Sequence, residues 1–292
     1  EISACLVGSE MCIRDSGGGA RRSVTRRSRS AGLPAPSPSP TNPHRPEAGR
    51  TRLSVVVPAF GEERRIGATV AALRAALSDQ LSGSLELVVV DDGSDDATTE
   101  RAREAGADQV IRLPSNRGKG AAVRAGILAS SGSAVVFTDA DLSYPPGQVM
   151  RLVEQIEAGW DVVVGSRAHA DTRTTGASSP LRAISGRLFN LVTGAVLDRR
   201  FGDTQCGLKG FHRDAAERVF SLARVDGFAF DVEVLWLAGH LGLAVEEVPV
   251  ELASAEGSTV RLNVDPVRML RDLWRIRRRA ATGSYGPPAG AE

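Results

Sequence analysis

Cysteine is scarce in this 292-residue chain, with only Cys5, Cys12 and Cys206 present. Three such residues make no disulfide framework, and a reducing compartment is the expectation. No apolar run reaches the ~18 residues of a spanning helix, so the sequence predicts a chain that does not cross a bilayer by itself. Net charge is nearly absent, at +1, and nucleic acid is not expected as a partner. The turn Pro58-Ala59-Phe60-Gly61-Glu62 lacks the Gly-x-Gly-x-x-Gly fingerprint, which sets aside a dinucleotide-dependent oxidoreductase. A P-loop is missing too, because no Ser or Thr follows Gly118-Lys119-Gly120. His169, His212 and His240 show no metal-ligand spacing, and no internal repeat is visible.

What is present is 42% hydrophobic and 24% charged, the composition of a soluble globular protein. The charge is uneven: arginines crowd residues 21–29 and 268–279, while most of the acid lies between. Residues 1–50 read as a disordered tail, Arg/Ser-rich and then proline-rich, which cannot bury a core. Residues 1–16 resemble translated adapter sequence more than natural protein. A single domain is expected over 51–255, a basic amphipathic helix over 256–282, and a flexible tail over 283–292.

The domain is organised around Val135-Val136-Phe137-Thr138-Asp139-Ala140-Asp141, a short buried strand running into two carboxylates one residue apart. Where the strand ends and the chain bends, such a pair can converge on one cation. Mg²⁺ and its like take oxygen ligands, one or two from carboxylates and others from substrate phosphates. Alone, the pair reads more readily as a strand end whose acids cap the next helix. Its surroundings shift that reading.

Apolar runs at 53–58, 85–90, 109–113, 135–137 and 161–165 alternate with helical spacing, as in Ile66, Val70, Leu73 and Leu77. Ser94 or Asp95 is expected to cap the helix after the second strand. Five strands alternating with helices predict an α/β fold with a mostly parallel, Rossmann-like sheet flanked by helices. Ligands in such sheets lie beyond the carboxyl ends of the strands, where Asp91-Asp92 and Asp139/Asp141 fall. Further on come a loop over 166–180, a helical stripe (Leu181, Ile184, Leu188, Leu191, Ala195), a strand near 208–211, a helix near 232–241 and a strand near 245–250. A final helix from Pro266 carries Val267, Leu270, Leu273 and Trp274 on one side and Arg268, Arg271, Arg275, Arg278 and Arg279 around the rest.

Pro58-Ala59-Phe60-Gly61-Glu62-Glu63, Val90-Asp91-Asp92-Gly93-Ser94, Asn116-Arg117-Gly118-Lys119-Gly120 and Asp139-Ala140-Asp141, in this order, resemble the family-2 glycosyltransferases of the GT-A fold. Gly165-Ser166-Arg167, Asp203-Thr204-Gln205-Cys206-Gly207 and Phe230-Asp231-Val232-Glu233 narrow the likeness to the branch that glycosylates polyprenyl phosphates, the dolichyl-phosphate glucosyltransferases before the mannosyltransferases. The resemblance implies a single catalytic domain in which Pro58, Glu62 and Asp91 meet the nucleotide and Lys119 faces its diphosphate. Asp139 and Asp141 would hold Mg²⁺ or Mn²⁺ and, with Asp203, carry catalysis. Arg167, Arg182 and Ser185 would bind the acceptor phosphate. UDP-glucose is the implied donor, with GDP-mannose second, and a polyprenyl phosphate the acceptor. An ionised phosphate needs no strong base, whereas a sugar hydroxyl would need one, with Asp203 the candidate. Two positions depart from the pattern: Gly61 stands where relatives carry Asn, and Ser143 where mannosyltransferases carry Gln. Transfer to a soluble acceptor or a polysaccharide stays open, as does a sugar-nucleotide-binding protein without catalysis. The enzyme is expected on the cytoplasmic face of an anionic membrane, held by the C-terminal helix; that helix packing on the domain is the equal alternative.

Overall fold

A computed structural model of the chain describes residues 51–81, 83–174, 203–252 and 266–286. The tail over 1–50, the stripe from Leu181 to Ala195, and with it Arg182 and Ser185, lie outside the described residues. Its described elements are, in order, β1 (Leu53–Ala59), α1 (Ile66–Leu81), β2 (Leu85–Asp91), α2 (Thr98–Glu104), β3 (Gln109–Arg112), α3 (Lys119–Ala129), β4 (Ala134–Phe137), α4 (Gln148–Glu157) and β5 (Val162–Ser166). Then follow β6 (Arg173–Thr174), β7 (Lys209–His212), α5 (Arg213–Leu222), α6 (Phe230–His240), β8 (Val245–Pro249), β9 (Glu251–Leu252) and α7 (Pro266–Ala281).

Seven strands form one sheet in the order β3-β2-β1-β4-β7-β5-β8, and β6 pairs with β9 apart from it. All neighbours in the large sheet are parallel except β7, which runs antiparallel to both β4 and β5. The β-branched runs suit this sheet because it is covered on both faces. Alternation divides each strand between two cores. Val55, Val57, Leu87, Val89 and Val136 pack under α1 and α4, against Leu73, Leu77, Leu152 and Val153. Val56, Val88, Val90, Val135 and Phe137 pack on the other face, against Val123 and Ile127 of α3 and Val219, Val234 and Leu235 beyond.

The chain passes from β1 outward to β2 and β3, then returns to place β4 on the other side of β1. This reversal makes a crevice beyond the carboxyl ends of β1 and β4, where open α/β sheets bind ligands. The cap after β2 differs from expectation. Ser94 turns back to Asp91, and Asp96 rather than Asp95 takes the Thr98 N–H at 3.0 Å. Asp91 needs those donors more, being wholly buried.

The C-terminal helix carries two apolar faces. Leu273 and Ile276 are buried in the core shared with α6, while Leu270 and Trp274 are 54% and 59% exposed. The expected single apolar side is therefore split, half packed on the domain and half facing solvent. No helix among the described residues is long and apolar enough to cross a membrane.

Candidate active site

A cavity of about 360 Å³ opens at the crevice. The end of β1 supplies Pro58, Ala59 and Phe60, with Glu62 just beyond, and the loop after β2 supplies Asp92. Asn116, Gly118 and Lys119 enter at the start of α3, Asp139 and Asp141 at the end of β4, and Phe228 from the loop before α6. Both aromatic rims are about half exposed, Phe60 at 52% and Phe228 at 47%.

Lys119 lies 2.5 Å from Oδ1 of Asp139. A lysine in the first turn of a helix opposes the helix dipole, and here the carboxylate of β4 compensates it. Burial alone would lower its pKa, but Asp139, Asp231 and Asp141 together hold it above the ordinary value. Lys119 is therefore a fixed cation facing the cavity. Asp139 is wedged in turn against the next segment: a Cβ on Gly207 would fall 2.0 Å from its Oδ2. Only glycine admits the carboxylate at this place.

Asp141 turns its Oδ1 to the N–H and Oγ of Ser143, at 3.0 and 2.8 Å. Ser143 thus orients the second carboxylate. Leu142 between them has φ 50, a left-handed conformation that costs a branched residue about 1–2 kcal/mol. Among the described residues no group of three or more His, Cys, Asp and Glu forms a metal cage. Two carboxylates at the mouth of a cavity, oxygen donors both, fit a hard cation that completes its shell with water and phosphate oxygens.

Glu62 is half-buried at the cavity and lies 3.6 Å from Arg65. Burial raises its pKa, against Arg65, and Asp141 and Asp96 raise it further. Asp91, by contrast, does not line the cavity. Its Oδ1 accepts from the N–H and Oγ of Ser94, and its Oδ2 from the hydroxyl of Thr99. The carboxylate at the cavity is Asp92, one residue on, whose oxygens also accept the N–H groups of Arg117 and Gly118 at 2.9 and 2.7 Å. Successive strand residues face opposite ways, so one residue of phase separates the buttress from the lining.

Arg167 and Asp203 form a forked pair, Nε to Oδ2 at 2.6 Å and Nη2 to Oδ1 at 2.9 Å. The N–H groups of Arg167 and Gln205 add 3.0 Å bonds to the same carboxylate. Burial pushes the Asp203 pKa up, but the Arg167 bonds and charge prevail and hold it below the usual range. A general base works best with a pKa raised toward neutrality; Asp203 is shifted the other way. Around it, Ser166 Oγ, Thr204 Oγ1 and Gln205 Nε2 are buried without hydrogen-bond partners among the described residues. Orphaned buried polar atoms are costly, and these three flank the Arg167–Asp203 pair in sequence. Tyr144, adjoining, is buried, which raises its pKa well above the ordinary value, and its neighbour Cys206 adds to the shift.

Beneath the site lies a pair the sequence reading did not assign. Lys209 of β7 is fully buried, with Nζ 2.5 Å from Asp231 Oδ1 and 2.6 Å from the Cys206 carbonyl. Burial raises the Asp231 pKa, and Lys209 and Lys119 pull against it. A lysine inside the apolar run Leu208-Lys209-Gly210-Phe211 was the available signal. Glu233, two residues along α6, accepts the N–H groups of Arg224 and Val225 at 2.8 and 2.7 Å and the Tyr285 hydroxyl at 2.5 Å. Asp231 and Glu233 therefore fasten the floor and the Phe228 side of the cavity.

The mostly parallel sheet, its switch-point crevice and the paired Asp139 and Asp141 at the β4 end define a glycosyltransferase of the GT-A fold. The Glycosyl transferase family 2 model matches residues 54–220, and the chain belongs to that family. It is 34% identical over 261 residues to a dolichyl-phosphate beta-glucosyltransferase of Drosophila melanogaster, covering 84% of this chain and 80% of that one. The Saccharomyces cerevisiae enzyme of the same name is 33% identical over 254 residues, covering 80% and 76%. Among solved structures, glucosyl-3-phosphoglycerate synthase from Mycobacterium tuberculosis, in complex with Mn²⁺, UDP-glucose and phosphoglyceric acid, superposes with a TM-score of 0.58. It is 25% identical and the match covers 83% of this chain and 82% of that one.

Proposed function

We propose that this enzyme transfers glucose from UDP-glucose to a polyprenyl phosphate of the dolichyl type, with inversion, in the presence of Mg²⁺ or Mn²⁺. The observation that carries the reading is the convergence of Lys119, Asp139 and Asp141 on one cavity at the switch point. Asp139 and Asp141 would hold the divalent ion, which supplies charge neutralisation to a nucleoside diphosphate leaving group. Lys119 adds a second positive charge from the other wall. Glu62 and Asp92 are the acids for the nucleoside, with Pro58 beneath it and Asp91 buttressing the turn.

Inversion follows from direct displacement at the anomeric carbon. The acceptor oxygen belongs to a phosphate already ionised near neutral pH, so positioning and charge screening replace a base. The ionised, Arg167-bound state of Asp203 supports this over a hydroxyl acceptor. Arg167, half exposed, presents its outer edge to an acceptor phosphate, the role the resemblance also assigns to Arg182 and Ser185. The buried Ser166, Thr204 and Gln205 atoms are donors and acceptors for the sugar or the phosphate between them.

The acceptor lipid implies work at a membrane, for which the cytoplasmic face is our reading. Exposed Leu270 and Trp274, with Arg278 over the Trp274 ring at 5.5 Å, give α7 an apolar stripe edged with charge. Each basic residue near an anionic surface contributes ~1 kcal/mol. A soluble phosphorylated acceptor is the competing reading, supported by the phosphoglyceric acid held by the solved relative. The test is transfer of labelled glucose from UDP-glucose, with GDP-mannose as rival donor, to dolichyl phosphate or to phosphoglyceric acid. Butanol-extractable product from UDP-glucose and dolichyl phosphate is expected. Product only with phosphoglyceric acid, or only with GDP-mannose, overturns the reading.

A further inference from the structure

We propose that a second cavity, distinct from the donor cavity, is a binding site for a phosphate group. It has a volume of about 280 Å³ and lies between α7 and the loop before α6. Four residues of α7, Arg268, Arg271, Arg275 and Arg279, line it at helical spacing, and Arg117 and Arg224 face them across the opening. Among the described residues two acids, Asp226 and Asp272, share the lining. Six arginines converging on so small a space repel one another, and an anion relieves that repulsion.

Acids take up part of the cluster's charge: from outside the lining, the buried Glu233 lies 3.7 Å from Arg279. Asp226 is taken by Arg117 at 2.9 Å and by Arg124 from outside the cavity at 2.6 Å. Asp272 lies 3.2 Å from Arg275. Among the described residues the Arg224 guanidinium donates to the carbonyls of Ser221 and Ala223, which carry no charge. Arg271 is exposed and has no carboxylate partner among the described residues. Guanidinium groups present planar forks that match phosphate oxygens two at a time. Several on facing walls suit a tetrahedral dianion better than a single carboxylate.

The site is built into the catalytic domain. Arg117 stands between Asn116 and Gly118, which line the donor cavity, and the loop that supplies Arg224 to Gly227 continues into Phe228 at the donor rim. Gly118, at φ +113, is the contact point: a Cβ there would lie 2.5 Å from the Asp226 carbonyl. The two cavities share this wall. The four arginines of α7 that line the cavity are a different set of side chains from the exposed Leu270 and Trp274. The site does not depend on the donor or acceptor of the transfer reaction.

The probe is inorganic phosphate, titrated calorimetrically into the full chain at constant ionic strength without divalent metal. Arg271→Gln/Arg275→Gln should weaken binding about tenfold or more, ~1.4 kcal/mol. Lys119→Gln, which alters the donor cavity, should leave it nearly unchanged. Both arginines are exposed, so an unshifted melting temperature without phosphate certifies the fold. A second arm uses vesicles of phosphatidylcholine with and without phosphatidic acid. Capture by the acidic vesicles that the double variant loses assigns the phosphate to a lipid headgroup; phosphate binding with capture indifferent to the variant assigns it to a soluble phosphate compound. Phosphate binding that is absent from the wild type, that survives in the arginine variant, or that disappears with Lys119→Gln overturns the site.

Discussion

A methyl group added at Gly207 would lie 2.0 Å from Oδ2 of Asp139 and 2.7 Å from its Cγ. Carbon–oxygen contacts settle near 3.3 Å, so Gly207→Ala must drive the carboxylate back by about 1 Å. The obstruction is a partly exposed side chain, not backbone, and it can rotate away. The stability cost is then mainly the Lys119–Asp139 pair, about 1 kcal/mol or less for a pair with solvent access, a shift of a few degrees in Tm. The catalytic cost is larger, because ~1 Å of misplacement at a reacting site costs on the order of 100-fold in rate, or ~2.7 kcal/mol. The assay is kcat for glucosyl transfer against Mn²⁺ concentration, with melting curves alongside. Asp139→Asn is the reference, and the double variant should lose little beyond it because both changes act on one group. Activity within about threefold of wild type would falsify the placement of Asp139 as the pivot of the cavity.

Asp141→Asn should abolish transfer while leaving the melting temperature nearly unchanged, since it removes a charge at a partly exposed strand end; normal turnover in metal-replete buffer would refute that role. Lys209→Met strands Asp231 in the core and should cost about 3–5 kcal/mol in urea unfolding. A change below ~1 kcal/mol would show that Asp231 finds another partner. The pH dependence of Asp203 has a definite sign. Its folded pKa lies below the ordinary 3.8, so its stabilisation is present above that value and lost as pH falls through the folded one. The stability gap between wild type and Asp203→Asn should be flat from neutrality to mild acid and close below 3.8. A gap that widens on acidification would contradict the Arg167 pairing.

The sheet, its strand ends and the Asp139–Asp141 pair were legible in the residues alone because each is a local signal. β-branched runs announce buried strands, glycine-rich turns announce their ends, and acids at those ends announce the crevice. Phase and partnership were not legible. Asp91 and Asp92 are adjacent, and only the pleat of β2 decides that Asp92 lines the cavity while Asp91 is consumed by Ser94 and Thr99. Asp203 reads as a free acid until the fold brings Arg167 to it across 36 residues. Lys209 and Asp231, Gly207 and Asp139 likewise meet only through strand order. On α7, periodicity groups Leu270 and Trp274 with Leu273. Tertiary packing separates them, burying Leu273 and Ile276 and turning Arg271 and Arg275 onto the second cavity. Local sequence determines which residues form an element; which of its faces meets solvent depends on neighbours distant in the chain.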